Sequence, residues 1–212
     1  MLSALIFDMD DLLVASAALW RAAEEKLLAA IGARWTEDMA IQYKGMNALD
    51  VAATIHRLLR PSLSLEACQR IMRDELIAGF SKPVHAMPGA VELVQRVHGR
   101  WPMAVASGSP RVAIYGALSQ LGILERFDEV ITSESVPRGK PHPDVFLAAA
   151  EALKASPPQC LVFEDSLIGV RAAQAAGMKC FAVPSGNHAA IAELATRVFS
   201  SLADIIEDDI AL

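Results

Sequence analysis

What this chain has little of narrows its class before any motif is considered. Three of its 212 residues are cysteine (Cys68, Cys160 and Cys180), an odd number at wide spacing, which fits neither a disulfide framework nor a zinc site. Cys160 and Cys180 stand in apolar, strand-like runs and read as reduced core residues. Basic residues are outnumbered, 19 against 25 acids, for a net charge of −6. No basic stripe is available to neutralise a phosphate backbone, which argues against a general nucleic-acid binder. An anionic small molecule stays open, because it responds to the local field more than to net charge. No uninterrupted apolar run reaches membrane-spanning length. The amino terminus lacks the basic region, apolar stretch and cleavage site of a signal peptide, so a reducing cytoplasm is the expected compartment. Internal repeats and low-complexity segments are absent.

The composition that remains, 53% hydrophobic and 21% charged, is that of a folded protein with one sizeable core, alone or with a smaller companion. Its organising stretch is Leu5-Ile6-Phe7-Asp8-Met9-Asp10-Asp11. The apolar run over 4–7 predicts a buried strand. It ends in two acids one residue apart, and alternation lets Asp8 and Asp10 point the same way. Like charges packed together repel unless a cation or a proton intervenes. Open α/β sheets hold their ligands at this carboxyl edge. A metal-assisted site with a reactive carboxylate is the first hypothesis.

From residue 16 to about 80 the pattern is helical. Ser16 is placed to cap a helix running to Gly32, and two more helices are expected over Ala48–Leu59 and 64–80, divided by Arg60-Pro61-Ser62. The turn-rich segment from Ser81 to Gly89 marks a boundary. Beyond it strands (103–106, 129–132, 160–163, 180–183) alternate with helices (90–98, 110–121, 143–153, 168–176 and a short one at the carboxyl end), which predicts a parallel sheet covered on both faces. The organisation is one α/β domain (1–15 and 82–212) interrupted by a helical module (16–81). Its two connections suit a lid.

Three further strand ends supply candidate parts. Val105-Ala106-Ser107-Gly108-Ser109-Pro110 brings two hydroxyls to a helix start, where backbone amides bind phosphate oxygens; an ordinary capping turn would look the same. Gly139-Lys140-Pro141-His142-Pro143-Asp144 fixes a cation between a glycine and a proline, able to neutralise both a phosphate and a carboxylate. His142 reads as a loop brace before an acid–base group. Leu161-Val162-Phe163-Glu164-Asp165-Ser166 ends a strand in adjacent acids. Asp165 could complete an oxygen cage with Asp8 and the Asp10 carbonyl, with Glu164 joining or supporting it, a donor set that suits Mg²⁺.

In this order the parts resemble the haloacid dehalogenase superfamily of phosphohydrolases over nearly the whole chain. The resemblance rests on Asp8-Met9-Asp10, on Ser107, on the Gly139–Asp144 stretch, and on Glu164-Asp165-Ser166 with Gly169. Phe7-Asp8-Met9-Asp10 and Phe163-Glu164-Asp165-Ser166 look like the helical-cap branch, which holds β-phosphoglucomutase and sugar-phosphate phosphatases. The resemblance implies a doubly wound, Rossmann-like parallel sheet with an inserted all-helical cap. It implies that Asp8 attacks phosphorus and that Asp10 serves as acid and then base. Ser107, Gly108 and Lys140 would grip the phosphate, with Mg²⁺ on Asp8, Asp10, Glu164 and Asp165. The substrate would be a small phosphorylated metabolite, probed in the cap by Lys44 and Asn47, and the enzyme a monomer needing neither nucleic acid nor membrane.

Two departures stand out. Asp11 replaces the family's usual glycine, and Ala15 replaces an acid commonly found five residues after the second aspartate. Where the mutase carries a histidine and an arginine, this chain has Trp20 and Ala48, which favours hydrolysis over phosphate transfer. The alternatives are a mutase and a catalytically weakened binder of phosphorylated ligands. A receiver domain would be shorter, with its lysine after all the acids. A dehydrogenase would need a glycine-rich turn where Asp8-Met9-Asp10 stands.

Overall fold

The computed structural model describes residues 2–184 and 189–210. Six parallel strands form one sheet in the order β3-β2-β1-β4-β5-β6: β1 (Ala4–Phe7), β2 (Met103–Ser107), β3 (Glu129–Thr132), β4 (Cys160–Glu164), β5 (Lys179–Ala182) and β6 (Arg197–Val198). This is a doubly wound α/β fold. The two-residue β6, exposed at both positions, is beyond the sequence expectation, since two residues carry no periodicity.

Each central strand is buried on both sides, and alternation divides its residues between two cores. Leu5, Phe7, Met103, Val105, Leu161, Phe163 and Phe181 join one cluster, with Leu93 and Val94 of α5 (Ala90–Val97) and Ile114 of α6 (Arg111–Gln120). Ala4, Ile6, Ala104, Ala106, Val162 and Ala182 join the other, with Phe146 of α7 (Asp144–Ala152) and Val170 of α8 (Leu167–Ala175). The register sets Phe7 beside Phe163, and Phe163 beside Phe181. The first two rings stack at 4.5 Å and the third meets Phe163 edge-on at 5.9 Å, arrangements that aromatic quadrupoles favour. One residue beyond this row the chain reaches the carboxyl edge. There Asp8 follows Phe7, and Glu164 follows Phe163.

Between β1 and α5 lie only helices: α1 (Ala17–Ala30), α2 (Glu37–Ala40), α3 (Ala48–Leu59) and α4 (Leu65–Phe80). α4 packs on both α1 and α3, burying Cys68, Met72, Leu76 and Phe80 against Leu27 and Leu28 of α1 and Val51 and Ile55 of α3. Asn47 and Ser64 cap α3 and α4 by accepting from Asp50 N and Ala67 N, as small polar side chains do for unpaired first-turn amides. Ser16 does not cap α1. Its hydroxyl donates to Asp10 instead, and Asp11 Oδ1 accepts from Ser16 N and Ala17 N at 3.0 and 2.8 Å. The single-turn α2, capped by Thr36, is too short to show a helical period. All three cysteines are buried and free. Among the described residues no helix is long and apolar enough to cross a membrane.

Candidate active site

Strands are added outward from β1 on one side (β2, β3) and then on the other (β4, β5, β6), and the crevice at the carboxyl ends of β1 and β4, where the order switches, is where such sheets hold ligands. A cavity of about 350 Å³ opens there. Asp8, Asp10, Gly108, Lys140, Glu164 and Asp165 line it from the sheet, and Trp20, Glu24, Trp35, Tyr43 and Lys44 line it from the helical segment.

Asp8 is held at the strand end by its own amide, which donates to the Phe163 carbonyl at 3.0 Å. Lys140 Nζ lies 2.5 Å from Asp8 Oδ1 and 2.6 Å from Glu164 Oε1, and 4.8 Å from the centre of the Phe146 ring. All three charged side chains are buried. Burial pushes the Asp8 carboxyl up to about 8, against the pull of Lys140 and with the help of Glu164 and Asp10. Burial works against the Lys140 ammonium, but Asp8 and Glu164 outweigh it and raise its pKa. Asp165 is raised well above the ordinary carboxylate range, first by burial and then by Glu164 and Asp8.

Glu164 is the most tightly engaged acid. Oε1 takes Lys140, and Oε2 accepts from Asp165 N, Ser166 N and Ser166 Oγ at 2.9, 2.9 and 3.0 Å. Gly169 leaves room for it, since a Cβ at that position would overlap the Glu164 carboxylate. One carboxylate oxygen from each of Asp8, Glu164 and Asp165 lies within 4.8 Å of the others. Three carboxylates against one lysine leave an excess of negative charge in a buried, oxygen-only donor set, which fits a hard divalent cation such as Mg²⁺.

Asp10 lines the same cavity but is not one of these three clustered acids. Oδ1 accepts from Ser16 Oγ and Trp20 Nε1, both at 2.8 Å; Oδ2 accepts from Ser107 Oγ at 3.0 Å and Ser109 Oγ at 2.8 Å. The Ser107 hydroxyl, a candidate phosphate ligand, is thus turned to a carboxylate, while the neighbouring Gly108 lines the cavity. The turn that sets this geometry folds around the Met9 carbonyl, which accepts from Leu13 N and Val14 N at 2.9 and 3.0 Å. It needs a left-handed residue at position 11, where Asp11 sits at φ 54°. Aspartate tolerates that region better than most residues, and its carboxylate is used on the α1 amides.

Of the two residues suggested in the helical segment, Lys44 lines the cavity, with Nζ 4.0 Å from Asp165 Oδ2. Asn47 is absorbed in capping: it accepts from Asp50 N at 2.9 Å and donates to Asp50 Oδ2 at 2.6 Å. His142 is exposed and lies outside this cavity. Sequence reasoning did not reach Ser109 and Trp20 as donors to Asp10. Ser109 could have been found two residues after Ser107, and Trp20 one helical turn after Ser16.

A parallel α/β sheet with a buried carboxylate and a lysine at its switch point, covered by an inserted helical segment, defines a class of enzyme. Residues 2–177 match the haloacid dehalogenase-like hydrolase family. The chain belongs to that family, and it is a phosphoric monoester hydrolase. It is 34% identical over 174 residues to the fructose-1-phosphate phosphatase YqaB of Escherichia coli, covering 82% of this chain and 92% of that protein. It is 30% identical over 179 residues to a phosphorylated carbohydrates phosphatase of Thermotoga maritima, covering 84% and 83%. Among solved structures, the β-phosphoglucomutase of Clostridium difficile superposes with a TM-score of 0.88 at 25% identity, over 100% of this chain and 96% of that one.

Proposed function

We propose that this enzyme hydrolyses small phosphate monoesters, sugar or polyol phosphates, through an aspartyl-phosphate formed on Asp8. The observation that carries the reading is the Asp8–Lys140 pair, buried at the floor of a cavity beside Asp165 and Glu164. The names of the relatives, phosphatases of fructose 1-phosphate and of phosphorylated carbohydrates, support the substrate class. Residues 16–81 act as the cap, and the working unit is a cytoplasmic monomer.

In the first step an Asp8 oxygen forms a bond to phosphorus as the bond to the leaving alcohol breaks, a covalent route open to carboxylates. Asp10 gives a proton to the leaving oxygen. Water then attacks the acyl phosphate, Asp10 takes back a proton, and Asp8 is released with inorganic phosphate. Lys140 offsets negative charge on Asp8 and on the transferring group, and the Gly108 region borders the phosphate. Trp20, Ser16, Ser107 and Ser109 orient the Asp10 carboxyl. Asp8 and Asp165 are the residues to hold Mg²⁺, with the Asp10 backbone and Glu164 in support; the ion supplies charge neutralisation for the transferring group. The likeness to β-phosphoglucomutase keeps mutase action as a second reading, but Trp20 in a hydrogen bond to Asp10 and Ala48 inside a buried helix start favour water as the acceptor.

Phosphate release from p-nitrophenyl phosphate and a panel of sugar and polyol phosphates tests this. Turnover is expected with Mg²⁺ and a fall of about a hundredfold or more with a chelator. Absence of turnover across the panel, or indifference to the chelator, contradicts it.

A further inference from the structure

Of the acids that the helical segment brings into the cavity, one is buried, and the steps above do not use it. Glu24 lies on α1 and is 7% exposed. Its Oε2 accepts from Trp35 Nε1 at 2.6 Å and from Tyr43 Oη at 3.3 Å. Oε1 receives no hydrogen bond from the described residues. Since no buried side-chain oxygen among them lacks a partner, Oε1 has solvent access, and the residue lines the cavity. Trp20, four residues earlier on the same face of α1, donates to Asp10. Glu24 therefore lies about 6 Å further along the helix from the reacting edge.

The cations beside it, Arg21 and Lys44, line the same cavity but are shared with other acids. Arg21 pairs with Glu25 at 2.9 Å and stacks over the Trp35 ring at 4.3 Å. Glu37 adds a second acid to the lining, and Lys44 sits towards Asp165. Trp20, Trp35 and Tyr43 supply flat apolar walls between the acidic groups. A carboxylate oxygen in such a place accepts hydrogen from a hydroxyl and repels a second anion, while aromatic faces take the C–H side of a carbon chain or ring.

We propose that Glu24 determines specificity: its Oε1 accepts a hydroxyl of the substrate beyond the phosphate, so the enzyme selects polyhydroxylated monophosphates with a neutral far end and rejects bisphosphates and phosphorylated acids. The proposal rests on the phosphatase reading above and goes beyond it in naming the residue and the class it excludes. A site built to bond a hydroxyl discriminates strongly against an analogue that lacks it, because its buried acceptor is left unpaired.

The test compares kcat/KM for a hexitol monophosphate, n-hexyl phosphate and a hexitol bisphosphate, using the full chain with Mg²⁺. The wild type should prefer the hexitol monophosphate over both others. In Glu24→Gln, whose amide still bonds a hydroxyl but carries no charge, the preference over the bisphosphate should fall by about tenfold or more while that over n-hexyl phosphate is kept. In Glu24→Asp, which keeps the charge but shortens the reach, only the preference over n-hexyl phosphate should fall. Ratios within one protein cancel any loss of active enzyme, and the Asp variant serves if the Gln variant does not fold. Ratios within about twofold of wild type in the folded variants overturn the role of Glu24 alone. If the wild type turns over none of the three, the phosphatase reading falls, and this proposal with it.

Discussion

Lys140 holds two acids that burial alone would not tolerate. Its ammonium is the partner of Asp8 on one side and of Glu164 on the other, with all three side chains nearly without solvent contact. Removing the lysine leaves Asp8 and Glu164 desolvated without their counter-charge, to be held charged or to take up protons, and either costs more than the group's net contribution. Lys140→Met is therefore expected to lower unfolding free energy by about 3–5 kcal/mol at neutral pH, read from denaturant melts. A change below about 1 kcal/mol, the scale of an exposed pair, would contradict the burial argument. Asp8, Lys140 and Asp165 were legible as candidates because each follows an apolar strand or a constrained loop, where acids and lysines have no packing reason to be. Glu24 was not. In sequence it is half of a Glu24-Glu25 pair within an alternating helical pattern, indistinguishable from a solvated face, and only the fold of Trp35 and Tyr43 over it makes it an interior acid. Ser107 was legible as a residue but not by its partner, since its bond to Asp10 spans 97 positions.

At the scale of elements, the start of α8 couples packing to the site. Ser166 caps the helix by accepting from Gly169 N at 3.1 Å while donating to Glu164, and Gly169 makes the space that the Glu164 carboxylate fills. Gly169→Ala adds only one methyl, and in a helix interior alanine is by itself the better residue. Here overpacking should win, with a loss of about 1–3 kcal/mol and a lower Tm, because Glu164 must leave Lys140 or the helix must shift. An unchanged or raised Tm would mean that Glu164 is not confined as described. The long elements could be read from the sequence: α3 runs over Ala48–Leu59 as its apolar period and flanking Arg60-Pro61 predict. The strand ends could not, because β2 and β4 each take in one more residue, Ser107 and Glu164. Polar side chains there continue the ladder to reach the site, and a hydrophobic criterion stops one residue early. Ser16 misled for a related reason. Its type suits a cap, but Asp11 does the capping and frees the Ser16 hydroxyl for Asp10.

For the whole molecule, the consequence of strand order is that segments 132 residues apart, Asp8 and Lys140, meet at one edge. Alternating strands and helices made the parallel sheet predictable; the order β3-β2-β1-β4-β5-β6 keeps the fully buried strands β2, β1 and β4 at the centre. The helical insertion between β1 and α5 then closes the cavity with aromatic and acidic side chains that the sheet does not supply. The proposed attack of Asp8 on phosphorus is examined directly by acid-quenched mass spectrometry during steady turnover of a sugar phosphate. It predicts a phosphoryl group on the peptide carrying Asp8, absent in an Asp8→Asn variant that remains folded and has lost nearly all turnover. Full turnover by that variant, with no phosphorylated peptide in either protein, would contradict it.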